Sequence, residues 1–161
     1  EQPQWPCPTP EHPGTPILHV GRFSRGERAL FKPAHYLPPA EEPDEEFPLI
    51  LTTGRILYQY HTRTMTGRND DLNRLAGRSF VEINPADAVR LGIADGTRVK
   101  VESRRGEVVA DALVTDRVDA GVIFMPFHFA DGAANRLTND ALDPTAKIPE
   151  YKVCAARVQR C

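Results

Sequence analysis

Residues 51–68, LTTGRILYQYHTRTMTGR, concentrate the chemistry of this chain. They hold Arg55, Arg63, Arg68 and His61 among the hydroxyls of Thr52, Thr53, Thr62, Thr64 and Thr66, with Gly54 and Gly67 as interruptions. Guanidinium forks and hydroxyls donate hydrogen bonds, and glycine lets backbone approach a ligand closely. That combination suits a polyanion such as a pyrophosphate. Two further patches carry donors. FHFADGAANRLT at 127–138 contributes His128, Asn135, Arg136 and Thr138, and PEYK at 149–152 contributes Tyr151 and Lys152. Taken singly, each reads most plainly as a polar loop or a strand start. Brought together at one end of a fold, they would form a cradle for a large anion without an evident catalytic base.

Other chemistries find no support. The five histidines lie in unrelated contexts, and those in the leading segment (His12, His19 and His35) read as structural or surface residues. No Ser–His–Asp set or paired-carboxylate site stands out. Neither GxxxxGK[ST] nor GxGxxG occurs. Cys7, Cys154 and Cys161 form no CxxC pair, so no metal-ligand set is expected. Cys154, inside VCAARV, reads as a buried core thiol.

The elements that must position these patches begin near residue 47. Ten of the fifteen prolines lie in residues 1–46, which carry eight acids against four bases. This part is expected to be an extended Pro-rich strap, with Trp5, Phe31 and Tyr36 lying on a partner surface. It ends in a solvated acidic linker at Glu41–Glu46. Residues 47–161 are expected to form the globular domain. Strands are expected at Phe47–Thr53, Phe80–Ile83, Thr97–Ser103, Glu107–Thr115, Val122–Phe127 and Tyr151–Val158. Asn84–Pro85 starts a short helix that Gly92 stops. About six strands with one or two short helices make a mainly β fold, and an antiparallel-rich barrel closes them without exposed edges.

The 161 residues carry a net charge of −2, which gives no bulk attraction to nucleic acid or anionic membrane. No apolar run approaches the roughly 18–20 residues of a membrane span. The chain begins at Glu1 rather than Met and is expected to be a piece of a longer protein. A reducing, cytoplasmic setting is the expectation, with any targeting signal on the missing part.

Taken together, the motifs resemble a known family. LTTGR with Tyr60–His61 and Thr64–Thr66, VEINPADAVRLGIADGTRVKVESRRGEV, VIFMPFHF with ANRLT, and IPEYKVCAARV resemble the C-terminal domain of the molybdopterin oxidoreductases, most of all the formate dehydrogenase alpha subunit. QWPCP and HPGTPILH in the strap resemble the segment upstream of that domain. The resemblance covers nearly the whole chain. It implies a double-psi beta barrel closing over bis(molybdopterin guanine dinucleotide) with molybdenum or tungsten. Carried over by motif position, the cofactor-binding residues are Thr53, Gly54, Arg55, His61, Thr62, Met65, Thr66, Arg68, His128, Asn135, Leu137, Thr138, Tyr151 and Lys152. Arg63 stands where the family often has a small residue, which leaves it facing solvent. No catalytic or metal-ligating residue is expected here, because the metal ligand and the iron–sulfur cluster cysteines lie upstream in the family. The implied partners are the remainder of the polypeptide and electron-transfer subunits, with no nucleic acid and no membrane insertion. Formate oxidation to carbon dioxide is the implied reaction, and the isolated piece is expected to be inactive. Two alternatives stay open: a double-psi barrel that binds proteins without a cofactor, and the same domain from a nitrate reductase.

Overall fold

A computed structural model describes residues 3–161. The chain divides into two compact units, Glu1–Leu37 and Pro38–Cys161. In the first, the Thr15 N–H and hydroxyl donate to the carbonyls of Gln4 (2.7 Å) and Pro6 (2.6 Å). Gly14 makes this turn with φ +96°, and an added Cβ would meet Gln4 N at 2.6 Å. Ile17, Val20, Leu30, Phe31 and Tyr36 are exposed.

The second unit is a closed six-stranded barrel, a double-psi beta barrel. Its strands are β1 (Leu49–Gly54), β2 (Phe80–Ile83), β3 (Arg98–Ser103), β4 (Gly106–Val114), β5 (Val122–Pro126) and β6 (Cys154–Arg160). Around the barrel they run β1-β5-β2-β4-β3-β6. Two pairings, β1–β5 and β2–β4, are parallel, and the other four are antiparallel. Alternation decides the interior. Leu49 and Leu51, Val81 and Ile83, Val99 and Val101, Ile123 and Met125 point inward and are fully buried. The final strand starts at Cys154 rather than Tyr151. Tyr151 and Lys152 therefore belong to the loop that enters it.

Helix α2 (Pro85–Leu91) follows its capping signals. Asn84 Oδ1 accepts from Ala86 N at 2.9 Å, and Gly92 closes the helix at φ 65°. Helix α1 (Asp70–Leu75) lies where the sequence reading places no helix. Asn69 caps it by accepting from Asp71 N and Leu72 N, with Asp70 and Asp71 at its positive end.

The acidic stretch before β1 belongs to the barrel unit, and part of it is bound there. Glu41 and Asp44 pair with Arg104, and Glu41 pairs also with Arg105, against an expected solvated linker. Charge alone could not reveal partners some sixty residues away.

Candidate functional site

The end of β1 is where the three patches touch. Thr53 is 1% exposed, and its hydroxyl donates to the Tyr151 carbonyl at 2.6 Å. In return the Lys152 ammonium donates to the Thr53 carbonyl. Gly54 accepts from the Phe127 N–H at 3.2 Å, joining β1 to the loop that carries His128. A side chain at Gly54 would put its Cβ 2.7 Å from the Phe124 ring, so only glycine fits without displacing that ring. The residues just beyond the second and third patches are joined as well, Asn139 Nδ2 donating to the Val153 carbonyl at 2.8 Å.

Beyond Arg55 the chain forms a loop built around a buried glutamine. Gln59 is 3% exposed, donates to the Ala76 carbonyl at 2.7 Å and accepts from the Thr66 hydroxyl at 2.7 Å. Thr66 accepts in turn from the Tyr60 N–H at 3.2 Å. Thr62 and Thr64 share a hydroxyl bond of 2.8 Å. His61 (φ 46°) and Arg63 (φ 65°) take left-handed backbone, which tightens the loop at some conformational cost. Arg63 corrects the solvent-facing expectation. Its guanidinium lies over Phe129 at 5.1 Å, donates to Asn73 at 2.7 Å, and keeps a buried Nε without a partner among the described residues. Met65 and Arg68 are exposed, Arg68 at the end of a 3₁₀ turn.

His128 is the most unusual polar group here. It is 6% exposed, sits between the rings of Phe127 and Phe129, and neither ring nitrogen has a hydrogen-bond partner among the described residues. Buried imidazoles normally find partners, and these two nitrogens are themselves shielded from solvent, so a ligand would reach them only by displacing neighbouring groups. Burial holds its pKa below the ordinary imidazole value. The Arg63 charge adds to that, and the His61 carbonyl opposes it from outside hydrogen-bond geometry.

The remaining assigned residues divide. Asn135 is exposed on a 3₁₀ turn, and its carbonyl accepts from the Thr138 hydroxyl at 3.2 Å. Leu137 is a fully buried core side chain, so only its backbone can face a ligand. Arg55 lines a cleft of about 750 Å³ with Thr52, Tyr58, Phe80, Glu82 and Phe124. His128, Asn135 and Lys152 are not in that wall, so the cleft is one part of the candidate surface and not its whole.

No residue of the 51–68 stretch is acidic, so that patch is cationic within a nearly neutral chain, whereas Asp131 offsets Arg136 in the second patch and Glu150 offsets Lys152 in the third. Among the described residues no group of three or more His, Cys, Asp or Glu could hold a metal ion. The arrangement can bind and orient an anion that also presents hydrogen-bonding edges. Sequence reasoning missed Gln59, Asn73 and Phe129. Their roles depend on contacts with distant residues, and a lone Gln between two tyrosines carries no local signal.

Comparison with known proteins places this geometry in context. Residues 49–155 match the family described as "Molydopterin dinucleotide binding domain". The F420-dependent formate dehydrogenase 1 subunit alpha of Methanococcus maripaludis is 52% identical over 158 residues, covering 97% of this chain and 23% of that protein. The corresponding subunit of Methanocaldococcus jannaschii is 50% identical, with 97% of this chain and 23% of that protein covered. The periplasmic nitrate reductase of Desulfovibrio desulfuricans is more distant, 40% identical over 172 residues, again covering 97% and 23%. Among solved structures, acetylene hydratase from Pelobacter acetylenicus shares the fold with a TM-score of 0.69 at 19% identity, over 79% of this chain and 21% of that one. The chain thus spans under a quarter of the length of these relatives.

Proposed function

The chain belongs to the molydopterin dinucleotide-binding domain family, and on that footing we propose that it is the cofactor-binding barrel of a formate dehydrogenase-type oxidoreductase, holding bis(molybdopterin guanine dinucleotide). The observation that carries the cofactor reading is the direct bonding among the three patches at the end of β1: Thr53 to Tyr151, Lys152 to Thr53, and Phe127 to Gly54. The formate half rests on relatives at 50–52% identity, against 40% for the nitrate reductase.

The residues fit such a group. Pyrophosphates call for guanidinium and hydroxyl donors, which Arg55, Arg68 and Thr62 supply, while Thr66, its hydroxyl proton given to Gln59, holds the loop that carries them. A pterin or guanine edge calls for mixed donors and acceptors at a partly dry surface. The two unpartnered nitrogens of neutral His128 offer one of each. Gly54 leaves no room for a side chain beside the Phe124 ring, so the strand end presents backbone alone there. When bound, the metal-loaded cofactor supplies two-electron redox chemistry. This chain's own residues bind and orient it: Arg55 and Arg68 neutralise phosphate charge, His128 and Asn135 fix ring edges, and Tyr151 and Lys152 close from the loop into β6. The metal, Mo or W, its protein ligand and the iron–sulfur clusters belong to the upstream part, together with contacts to electron-transfer subunits. Turnover then requires the longer protein. A formate–dye assay on the 161 residues alone should read zero, and metal-dependent activity there would refute this division of labour. A cofactor-free interaction module is disfavoured because it gives no reason for the patches to meet. No helix among the described residues is long and apolar enough to cross a membrane.

The binding test is Arg55→Ala in the full-length protein. Loss of a charge-assisted phosphate contact should cost about 1.5–3 kcal/mol, or roughly 10–100-fold in cofactor affinity. Unchanged molybdenum and guanine content together with unchanged retention on dilution would remove Arg55 from the site.

A further inference from the structure

The turn between β3 and β4 presents adjacent arginines to the segment that leads into β1. Arg104 donates to Glu41 at 2.5 Å, pairs with Asp44, and stacks its guanidinium 4.8 Å from the centre of the Phe47 ring. Arg105 reaches in two directions. Toward the segment, its Nη1 donates to Glu41 Oε1 at 2.8 Å, and Nη2 approaches Oε2 to 2.7 Å as an ion pair. Toward the barrel mouth, Nη2 and Nε donate to the Leu137 carbonyl at 2.9 and 3.3 Å. Leu137 closes the 3₁₀ turn that carries Asn135, and Thr138 follows it. On the other flank, the Ala40 N–H donates to the Glu150 carboxylate at 3.0 Å, immediately before Tyr151 and Lys152.

One short run, Ala40–Asp44, is therefore fastened to the roots of two of the three candidate loops. The Glu41 side chain is only 13% exposed, so its pair with Arg105 is partly desolvated and held in geometry. A planar guanidinium can serve one carboxylate and one carbonyl together because its five N–H groups diverge from a rigid fork. An ammonium on a flexible stem does not reproduce that pattern.

We propose that Glu41 and Arg105 are positioning residues for the cofactor site: the acidic segment and the β3–β4 turn form a latch that sets the spacing of the Asn135–Thr138 and Glu150–Lys152 loops. The latch rests on the reading of those loops as cofactor-binding. Neither residue touches the ligand. They act through the Leu137 carbonyl and through the hold of Ala40 on Glu150.

The test uses the full-length protein purified with its cofactor, as wild type and as Glu41→Gln, Arg105→Gln and Arg105→Lys. Val81→Ala, a fully buried β2 core change, serves as a control that lowers thermal stability without touching the latch. Release of the cofactor is followed as guanine nucleotide lost from the protein after dilution, and loop order as hydrogen–deuterium exchange over residues 134–139 and 149–153. Arg105→Gln and Glu41→Gln should speed release about 10-fold, the loss expected for one charge-assisted bond, and should raise exchange in both loops. Arg105→Lys should recover only part of this, and Val81→Ala should melt earlier with wild-type release. Release and exchange unchanged in Arg105→Gln would overturn the latch, as would release that merely tracks melting temperature across all four variants. If the wild-type protein holds no guanine nucleotide, the cofactor reading falls, and loop exchange alone decides the latch.

Discussion

Replacing Thr53 with Val removes one hydroxyl and leaves the shape of the side chain nearly intact. Thr53 is 1% exposed, and its hydroxyl bond to the Tyr151 carbonyl, 2.6 Å long, ties the loop entering β6 to the end of β1. A neutral hydrogen bond contributes about 0.5–1.5 kcal/mol net, and a stranded buried acceptor would cost more. Tyr151 is 36% exposed, so water can replace the lost donor, and the estimate stays near 1 kcal/mol. For a unit of this size that loss lowers the melting temperature by about 4 °C. The loop can also open without the barrel unfolding, and about 1 kcal/mol raises its opening equilibrium roughly fivefold. Calorimetry of the chain gives the first number, and hydrogen exchange over residues 149–153 gives the second. Thr53→Ser keeps the hydroxyl and should keep slow exchange even though it loses a methyl. Unchanged melting and exchange in Thr53→Val, or Thr53→Ser behaving like Thr53→Val in exchange, would refute the claim that this bond holds the first and third patches together.

Further outcomes can be checked on the same chain. Gly132→Ala should destabilise by about 1–3 kcal/mol, because φ is +92° and the new Cβ would lie 2.7 Å from Ser79 Cβ. A melting temperature within error of wild type would show that the loop yields freely. Gly54→Ala should cost about 1 kcal/mol by pushing the Phe124 ring, with Phe124→Leu restoring much of it; a strictly additive double mutant would argue against the contact. Burial pushes the Cys154 thiol up to about 11, opposed by the Arg105 charge. A thiol reagent at pH 8 should therefore modify Cys161 and Cys7 readily and Cys154 only in denaturant, and rapid modification of Cys154 in the folded chain would count against its burial. Partial burial works against ionisation of Glu41, but hydrogen bonds from Arg105 and Arg104 outweigh it and hold the carboxyl below its ordinary value of 4.5. A depressed folded pKa gives stability that is complete above the unfolded value and is lost as pH falls through the folded one. Chain stability should thus decline below about pH 4.5, and Glu41→Gln should flatten that decline. An identical acid limb in the variant would remove Glu41 from it.

Much of the barrel was legible in the sequence because its rules are local. The strands expected at Thr97–Ser103 and Glu107–Thr115 form as Arg98–Ser103 and Gly106–Val114, and the Asn84–Pro85 start and Gly92 stop frame α2. Asn69 before Asp70–Asp71 is the same kind of signal, and it marks the start of α1. The parallel pairing of β1 with β5 and β2 with β4 has no local signature, since it follows from closing the sheet. Chemistry in the loops was legible by residue type and hidden in geometry. Arginine in 51–68 announces an anion. Nothing in the sequence tells that Arg63 stacks on Phe129, that Leu137 offers only backbone, or that Glu41 answers Arg105 across the fold. The strap reads as apolar and Pro-rich, and we propose that Trp5, Phe31 and Tyr36 lie against the remainder of the longer polypeptide.

The central claim is that Gly54–Arg68, His128–Thr138 and Tyr151–Lys152 together form one cradle for a pterin dinucleotide. An experimentally determined structure of the full-length protein with its cofactor bound tests it most directly. The account predicts cofactor atoms within hydrogen-bond distance of residues from all three stretches, with at least one His128 nitrogen newly partnered. A cofactor that touches only one stretch, or His128 satisfied by a protein group from elsewhere in the chain, would contradict it.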